Sequence, residues 1–185
     1  MASPPIINQQ KQITMCVIII RQAGKPMPSD AELKRAYMMN PHGCGFVSKS
    51  KRFKSLSFNS FLKRLHEVPL DENCIIHFRY ATNGSVRRQN CHPFTKKGIS
   101  FAHNGILNIM PDGDRTDSET AFRNIIYPCI HQHGFDSDEL RLAVEEIIGL
   151  SKFALMNENG EIRLYGDFKA HDGRLYSNLR HFGLF

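Results

Sequence analysis

The Asn104-Gly105 pair is the first point at which residue types and spacing indicate chemistry. An apolar run over residues 98–102 predicts a strand that stops at this pair. A side-chain amide and an unhindered backbone N–H would there point at one spot, the arrangement of an oxyanion hole that stabilises a tetrahedral intermediate. Asn-Gly is also the commonest two-residue hairpin turn, and the pair taken alone favours the turn.

Cys16 is the candidate nucleophile. It lies in a β-branched, apolar run over residues 13–20, which predicts a strand buried on both faces. A cysteine embedded in such a strand is ordinarily a small core hydrophobe. If the chain began at Cys16, its α-amino group, with a pKa of about 7.7 to 8.0, could accept the thiol proton, and one residue would supply both nucleophile and base.

Arg79 is a further candidate on physical grounds alone. A buried strand is predicted over residues 73–82, and Arg79 lies in its polar end. A charge at the end of a buried strand is costly unless it has a partner. Arg79 is therefore a site candidate, although a structural salt bridge would satisfy the same requirement.

The elements that must position these residues are strands and helices in a mixed order. Ser29 and Glu32 predict a capping box that opens a helix through Met39, and a helical pattern over residues 118–126 follows Asp117. Strands, then two helices, then strands again predict an α+β fold with helices packed on sheet faces. The other predicted strands cover residues 43–47, 53–58, 153–156, 162–165 and 174–177, and the last three are most simply a run of antiparallel strands. The other predicted helices cover residues 60–66 and 136–150.

Composition places the chain among ordinary globular proteins. Its 185 residues, 41% of them apolar and 23% charged, fit one domain with a sizeable core. No apolar run could span a bilayer, and residues 1–14 lack the apolar core of a signal peptide, which predicts a cytoplasmic protein without a membrane partner. Five cysteines without a CxxC pair argue for free thiols rather than a disulfide framework or a zinc ribbon.

Other patterns are too weak to assign a ligand. The formal charge of +6 comes partly from basic clusters at residues 49–54, 87–88 and 96–97, which can hold phosphates but lack an aromatic platform. Nucleic acid is therefore not predicted as a partner. Cys129, His131 and His133 lack a nearby fourth ligand, so no metal is predicted, and without a phosphate-binding glycine loop or Rossmann fingerprint no cofactor is expected.

Five motifs, in order and spacing, resemble those of the class II glutamine amidotransferases, a branch of the N-terminal nucleophile hydrolases. They are Met15-Cys16, residues 77–84 (HFRYATNG), residues 90–93 (NCHP), residues 101–105 (FAHNG) and residues 117–119 (DSE). Residues 25–28 (KPMP) with residues 40–46 (NPHGCGF) resemble the compact single-domain members found in bacteria and their phages. The similarity runs from Met15 to about Asp167.

The resemblance implies both a fold and a catalytic set. The fold would be a four-layer αββα sandwich, with two antiparallel sheets between helix layers. By similarity Cys16 would attack the side-chain carboxamide of glutamine, with its own amine taking and returning the proton. Asn104 and the Gly105 N–H would hold the oxyanion. Ammonia would leave, and water would resolve the thioester to give glutamate.

The same resemblance implies a substrate-binding set. Arg79 would bind the α-carboxylate of glutamine and Asp117 its α-ammonium group, two charge-assisted pairs that select an amino acid and position its amide. Thr82 would lie next to the carboxylate. His92 matches a histidine near the pocket wall, where a satisfied buried histidine is an equally good interpretation.

Three departures from the family pattern bear on activity. Val17 follows the nucleophile where glycine is frequent, and His42 stands where similar sequences often have an acidic residue. The largest departure is that fifteen residues precede Cys16, so in the full chain its nitrogen is an amide and cannot act as the base. We expect residues 1–14 to be an N-terminal arm or propeptide and residues 15–185 to form a single amidotransferase-like domain.

Two hypotheses follow, and the sequence leaves both open. If residues 1–15 are removed, the chain is a glutaminase that feeds ammonia to a separate acceptor synthetase. If they are retained, the chain is a non-catalytic, amidotransferase-like module, such as a phage component, that docks on an assembly partner.

Overall fold

Two antiparallel sheets lie at the centre of the fold, which the computed structural model describes for residues 16–82 and 84–184. The predicted arm over residues 1–14 falls outside this range. In chain order the strands are β1 (Val17–Arg21), β2 (Cys44–Ser48), β3 (Arg52–Ser55), β4 (Cys74–Phe78), β5 (Phe94–Lys96), β6 (Ile99–Asn104), β7 (Lys152–Met156), β8 (Ile162–Tyr165), β9 (Lys169–His171) and β10 (Arg174–Tyr176). One sheet has the order β3-β2-β4-β1-β10-β9 and the other β5-β6-β7-β8.

Helices cover the outer face of each sheet. They are α1 (Asp30–Met39), α2 (Phe58–Leu65), α3 (Asp117–Ala121), α4 (Tyr127–His133) and α5 (Asp138–Ile148). Buried side chains of α1 and α2 share one apolar cluster with the six-stranded sheet, and those of α3, α4 and α5 share another with the four-stranded sheet. A third cluster fills the space between the sheets. The predicted four-layer αββα sandwich is confirmed.

Strand β1 shows why its residues are apolar on both faces. Val17 and Ile19 belong to the cluster under α1 and α2, whereas Ile18 and Ile20 pack against the facing sheet, where Ala102 lies. None of these four β1 side chains is more than 2% exposed. Alternate residues of one strand thus enter two different cores, which confirms the prediction of a strand buried on both faces.

The predicted helices are present, with differences at their ends. Ser29 caps α1 by accepting from the Glu32 N–H at 3.2 Å. The Glu32 carboxylate instead accepts from the Tyr176 hydroxyl at 2.7 Å, so it holds the C-terminal segment rather than completing the capping box. The helix after Asp117 continues beyond its predicted end through a π-helical turn into α4.

Two strand connections differ from the sequence expectation. The tight turn that joins β5 to β6 lies at Lys97-Gly98, whose φ angles are +43° and +83°. The hairpin alternative for Asn104-Gly105 is therefore wrong. The last strands do not form one antiparallel run either, because β7 and β8 pair in the four-stranded sheet while β10 pairs with β1 in the other.

In the part of the chain that the structure describes, no helix has the length and apolar character needed to cross a membrane.

Candidate active site

The candidate site lies where three strands end close together. Cys16 precedes β1, Arg79 follows β4, and Asn104 is the last residue of β6. Strands β1 and β4 are antiparallel, with Val17 opposite Phe78. Cys16, just before β1, and Arg79, just after β4, therefore lie at the same end of these two strands. Strand β6 faces them across the core between the sheets. The topology thus assembles residues that are far apart in sequence.

Six of the seven predicted site residues line one small pocket. Its volume is about 30 Å³. The seventh, Asn104, is buried and 1% exposed, and its neighbour Gly105 belongs to the lining. The six are Cys16, Arg79, Thr82, His92, Gly105 and Asp117, and Tyr80, His103, Thr116 and Ser118 complete the lining.

The Cys16 thiol is held by the backbone of Tyr80. The Tyr80 N–H donates to the sulfur at 3.2 Å, and the thiol lies 3.4 Å from the Tyr80 carbonyl oxygen. Burial raises the pKa of the Cys16 thiol to about 11, although the Tyr80 backbone and the Arg79 charge act in the opposite direction. The thiol is thus protonated near neutral pH, and attack on a carbonyl requires a base.

Two residues of the C-terminal segment position the strand end that carries Cys16. The Ser177 hydroxyl oxygen accepts from the Ile18 N–H and from the Asn104 side-chain amide, each at 2.8 Å. The Asn178 amide donates to the Cys16 carbonyl oxygen at 2.9 Å. The end of β1 and the side chain at the end of β6 are therefore fixed by the same short segment.

Gly105 occupies a position that only glycine fits. Its φ angle is +143°, a conformation that residues with a side chain rarely adopt. A Cβ atom at this position would lie 2.2 Å from the Ser151 hydroxyl oxygen and 2.9 Å from the Ser151 Cα. The backbone can therefore turn into the pocket directly after Asn104 because residue 105 lacks a side chain.

Asp117 ends a hydrogen-bonded relay that starts at His103. The His103 Nδ1 lies 2.7 Å from the Ser118 hydroxyl oxygen, and that hydroxyl donates to the Asp117 carboxylate at 3.1 Å. Burial lowers the pKa of His103 to about 4, although the Asp117 charge opposes this shift. The Leu107 N–H and the Ser118 N–H also donate to Asp117. These three bonds, all from the described part of the chain, orient the carboxylate.

This geometry places a thiol, a buried amide, a guanidinium and an oriented carboxylate around one pocket. A family model of class-II glutamine amidotransferases matches residues 53–167, more than half of the chain. The chain belongs to the class II glutamine amidotransferases. The matched range runs from β3 to just beyond β8 and holds six of the predicted site residues, while Cys16 and Ser177 lie outside it.

Two curated relatives agree with this assignment over shorter stretches. The isomerizing glutamine–fructose-6-phosphate aminotransferase of Xanthomonas campestris pv. campestris is 31% identical over 94 residues, 44% of this chain and 15% of that protein. The putative glutamine amidotransferase YafJ of Escherichia coli K12 is 37% identical over 81 residues, 36% of this chain and 31% of that protein. The chain therefore matches less than one third of either relative.

His92 is hydrogen-bonded within the buried structure beside the pocket. Its Nδ1 accepts from the His103 N–H at 3.2 Å, while His77 donates through Nε2 to the His103 carbonyl oxygen at 3.1 Å. Burial lowers the pKa of His92 well below its usual value and that of His77 to about 3, so both rings are neutral. The three histidines tie β4 and the segment before β5 to β6.

His42 contacts the segment that lies beside Cys16. Its Nδ1 accepts from the Ala81 N–H at 2.9 Å, and its ring centroid lies 4.8 Å from that of Tyr80. The backbone of Tyr80 is the group that contacts the Cys16 sulfur. His42 therefore holds in place the segment that positions the thiol.

Several residues of the amidotransferase site carried no signal in the sequence. Ser177 and Asn178 lie beyond the last motif, and their position became visible only through the pairing of β10 with β1. Tyr80 acts through its backbone, so its residue type is uninformative. His103 and Ser118 stand inside motifs already recognised and could have been found there. Among the described residues, no three His, Cys, Asp or Glu side chains cluster as metal ligands.

Proposed function

We propose that the chain hydrolyses the side-chain amide of glutamine to glutamate and ammonia, through a thioester on Cys16, once Cys16 is the first residue. The observation that carries the proposal is the convergence of Cys16, Arg79, Gly105 and Asp117 on one pocket. A packed core needs no such set of groups. Membership of the class II glutamine amidotransferases supports glutamine as the amide.

The pKa of the thiol explains why the amino terminus matters. With a pKa of about 11, the Cys16 thiol must lose its proton to a base before attack. Near Cys16 the rings of His92 and His103 are buried and already used as structural acceptors or donors. A free α-amine on Cys16, with a pKa of about 7.7 to 8.0, lies on the same residue and is partly neutral at pH 7 to 8.

The proposed reaction proceeds in two halves. The Cys16 sulfur forms a bond to the amide carbon, and the α-amine takes the thiol proton. The resulting oxyanion accepts from the Gly105 N–H and from the second N–H of the Asn104 amide, whose first N–H donates to Ser177. The C–N bond then breaks, ammonia leaves with the proton from the amine, and water hydrolyses the thioester to glutamate.

Two charged groups would select the amino acid. The Arg79 guanidinium would bind the α-carboxylate in a bidentate pair, and Asp117 would accept from the α-ammonium group. Thr82 lies in the same lining and would contact the carboxylate. Because the guanidinium is positive and the carboxylate is negative, the site would favour a zwitterionic amino acid over a simple amide.

Glutamine entry requires the pocket to open. Sites for small molecules have volumes of roughly 300 to 1,000 Å³, whereas this pocket has about 30 Å³. The Ser85 carbonyl oxygen accepts from Arg79 at 3.1 Å and from Asn90 at 2.9 Å, and these bonds hold the segment after β4 beside the pocket. Their exchange for substrate contacts would enlarge the site.

A second candidate function follows from the size of the pocket and from the residue that precedes Cys16. The pocket is small, and in the full chain Cys16 has Met15 bound to its nitrogen, so the form that retains residues 1–15 lacks a base. That form would be a non-catalytic module that docks on a partner. In the active form, ammonia would pass to an acceptor synthetase, and residues 15–185 would act as one domain in either case.

One experiment separates the two candidates. The chain is produced with Met directly before Cys16, removal of that Met is verified by intact mass, and ammonia release from glutamine is measured beside the full chain and a Cys16→Ala variant. We expect release only from the trimmed chain with Cys16 intact. No turnover by the trimmed chain would sink the glutaminase proposal. Intact mass of the protein from its native source then shows which form exists.

A further inference from the structure

A groove lies between the edge strands of the two sheets, away from the candidate active site. Strand β3 borders the six-stranded sheet and β5 the four-stranded sheet, and residues of both line the groove. Its volume is about 470 Å³, within the range of roughly 300 to 1,000 Å³ typical of small-molecule sites. Arg52 and Phe53 also line a neighbouring groove of about 620 Å³.

The groove is strongly basic. Four cations line it, Arg52 and Lys54 on β3, Arg88 between β4 and β5, and Arg123 after α3. The carboxylate in the lining is Glu119, and it pairs with Arg123 at 2.6 Å. Four cations against one carboxylate leave an excess of three positive charges. Separate basic clusters of the sequence thus converge on one concave surface.

Lys54 is held in the groove by uncharged groups. Its ammonium donates to the Gln89 carbonyl oxygen at 3.0 Å and lies 4.9 Å from the Phe94 ring centroid. Burial lowers the pKa of Lys54; the nearby Cys91 and Glu119 oppose this shift, and the charges of Arg88 and Arg123 reinforce it. Within residues 16–82 and 84–184, no carboxylate lies within 4.0 Å of this ammonium. An anion between these cations would therefore gain charge-assisted hydrogen bonds.

We propose that this groove is a binding site for a phosphate-bearing small molecule. A phosphate monoester carries a charge of about −1.5 to −2, which matches an excess of three positive charges better than a single carboxylate does. The guanidinium groups of Arg52 and Arg88 present planar forks suited to phosphate oxygens. Phe53, half-buried in the same wall, offers an apolar surface for the organic part of the ligand.

The neighbouring groove favours a small ligand over a nucleic-acid strand. Its lining includes the carboxylates of Glu67 and Glu158, and Glu67 pairs with Lys51 and Arg64. A polyanionic strand that continued along the surface would pass these carboxylates. Four cations, Lys49, Lys51, Arg52 and Arg64, face two carboxylates in the neighbouring groove, whereas four cations face one carboxylate between β3 and β5. The excess of positive charge is therefore largest in the groove between β3 and β5.

The groove also shares elements with the candidate active site. His92 lines the pocket, while the next residues, Pro93 and Phe94, line the groove. Asp117 lines the pocket, and Glu119 on the same helix lines the groove. The binding proposal stands apart from glutaminase activity and does not need it.

The test is titration of the full chain with inorganic pyrophosphate at constant ionic strength, followed by calorimetry. The Arg52→Gln/Arg88→Gln double variant removes two exposed cations of the groove. The control, Lys34→Gln/Arg35→Gln, removes two exposed cations from α1. We expect the groove variant to bind pyrophosphate about tenfold more weakly, as for the loss of one charge-assisted hydrogen bond, and the control to bind within twofold of wild type.

A third variant separates binding from a folding defect. Glu119→Gln removes the opposing carboxylate, and we expect it to tighten pyrophosphate binding, which a damaged fold could not do. Equal affinities in all variants would overturn the proposal. An equal loss in the α1 control would overturn it as well, because the effect would then be one of overall charge. Binding of a single-stranded oligonucleotide without binding of pyrophosphate would also exclude a small-molecule site.

Discussion

The Ser177 hydroxyl oxygen lies 2.8 Å from the side-chain amide nitrogen of Asn104. The same oxygen accepts from the Ile18 N–H at 2.8 Å, two residues after the candidate nucleophile. One hydroxyl group thus sets the relative positions of the candidate oxyanion donor and of the strand that carries Cys16. It accepts both bonds at once, as a hydroxyl with two lone pairs can.

Replacement of Ser177 by alanine should therefore lower the rate of the chemical step. In the chain that starts at Cys16, we expect Ser177→Ala to reduce kcat for glutamine hydrolysis by roughly 10-fold to 100-fold, because a displaced oxyanion donor loses much of its effect. KM should change less, since Arg79 and Asp117 remain. The measurement is steady-state ammonia release over a range of glutamine concentrations.

Ser100→Ala is the matched control for this variant. Ser100 is also a buried serine, and it bonds Thr95 at 3.0 Å near the opposite end of β6. We expect its kcat to stay within about twofold of wild type. If both variants lose kcat equally, the effect of Ser177→Ala is one of general stability and not of positioning.

Gly105→Ala should destabilise the fold and impair catalysis together. A Cβ atom would meet Ser151 at 2.2 Å, and φ at +143° disfavours any side chain. We expect the free energy of unfolding in urea to fall by about 2 kcal/mol or more. Gly113→Ala is the control, because Gly113 also has a positive φ, +60°, but nothing lies within 4 Å of the added Cβ. Its expected cost is about 1 kcal/mol, and equal costs would contradict the steric argument.

Arg79→Lys should weaken glutamine binding selectively. Lysine keeps the charge but loses the bidentate fork, so we expect KM for glutamine to rise about tenfold or more. A simple amide without α-substituents should react equally well, or equally poorly, with both forms. Arg87→Lys, a change in the same loop outside the pocket lining, serves as the control. A KM unchanged by Arg79→Lys would remove the carboxylate clamp from the mechanism.

The buried histidines predict a loss of stability in mild acid. Burial depresses the pKa of His77 to about 3 and that of His103 to about 4, whereas the unfolded chain has the ordinary value of about 6.5. The folded state excludes protons that the unfolded state binds, so stability is complete above pH 6.5 and falls as the pH drops toward 4. Each of the two histidine rings should lower the free energy of unfolding by about 2 kcal/mol at pH 5.

Urea unfolding of His77→Gln at pH 7 and pH 5 isolates one of these contributions. Its loss of stability between the two pH values should be smaller than that of wild type by about 2 kcal/mol. His131→Gln, at an exposed position of α4, should match wild type. An unchanged pH dependence in His77→Gln would mean that His77 does not contribute to the acid sensitivity.

Local physics made much of the fold readable from the sequence. Strand β1 has an apolar core on each face, so its successive residues Val17 to Ile20 are all apolar. Ser29 caps α1 through a hydrogen bond to the N–H three residues later. Both signals arise within one element, so periodicity and capping rules suffice to find them. The motif residues of the site were recognisable because their order and spacing resemble the motifs of the family.

Long-range pairing decided the rest. No pattern in residues 174–178 shows that β10 pairs with β1, because which strand a segment pairs with depends on the packing of distant residues. That pairing brings Ser177 within hydrogen-bond distance of Asn104, and Asn178 within that distance of Cys16. It also lets the Tyr176 hydroxyl donate to the Glu32 carboxylate. The sequence by itself determined which groups could do chemistry, whereas the tertiary structure alone decided what holds them, because hydrogen bonds across a sandwich join residues whose spacing carries no signal.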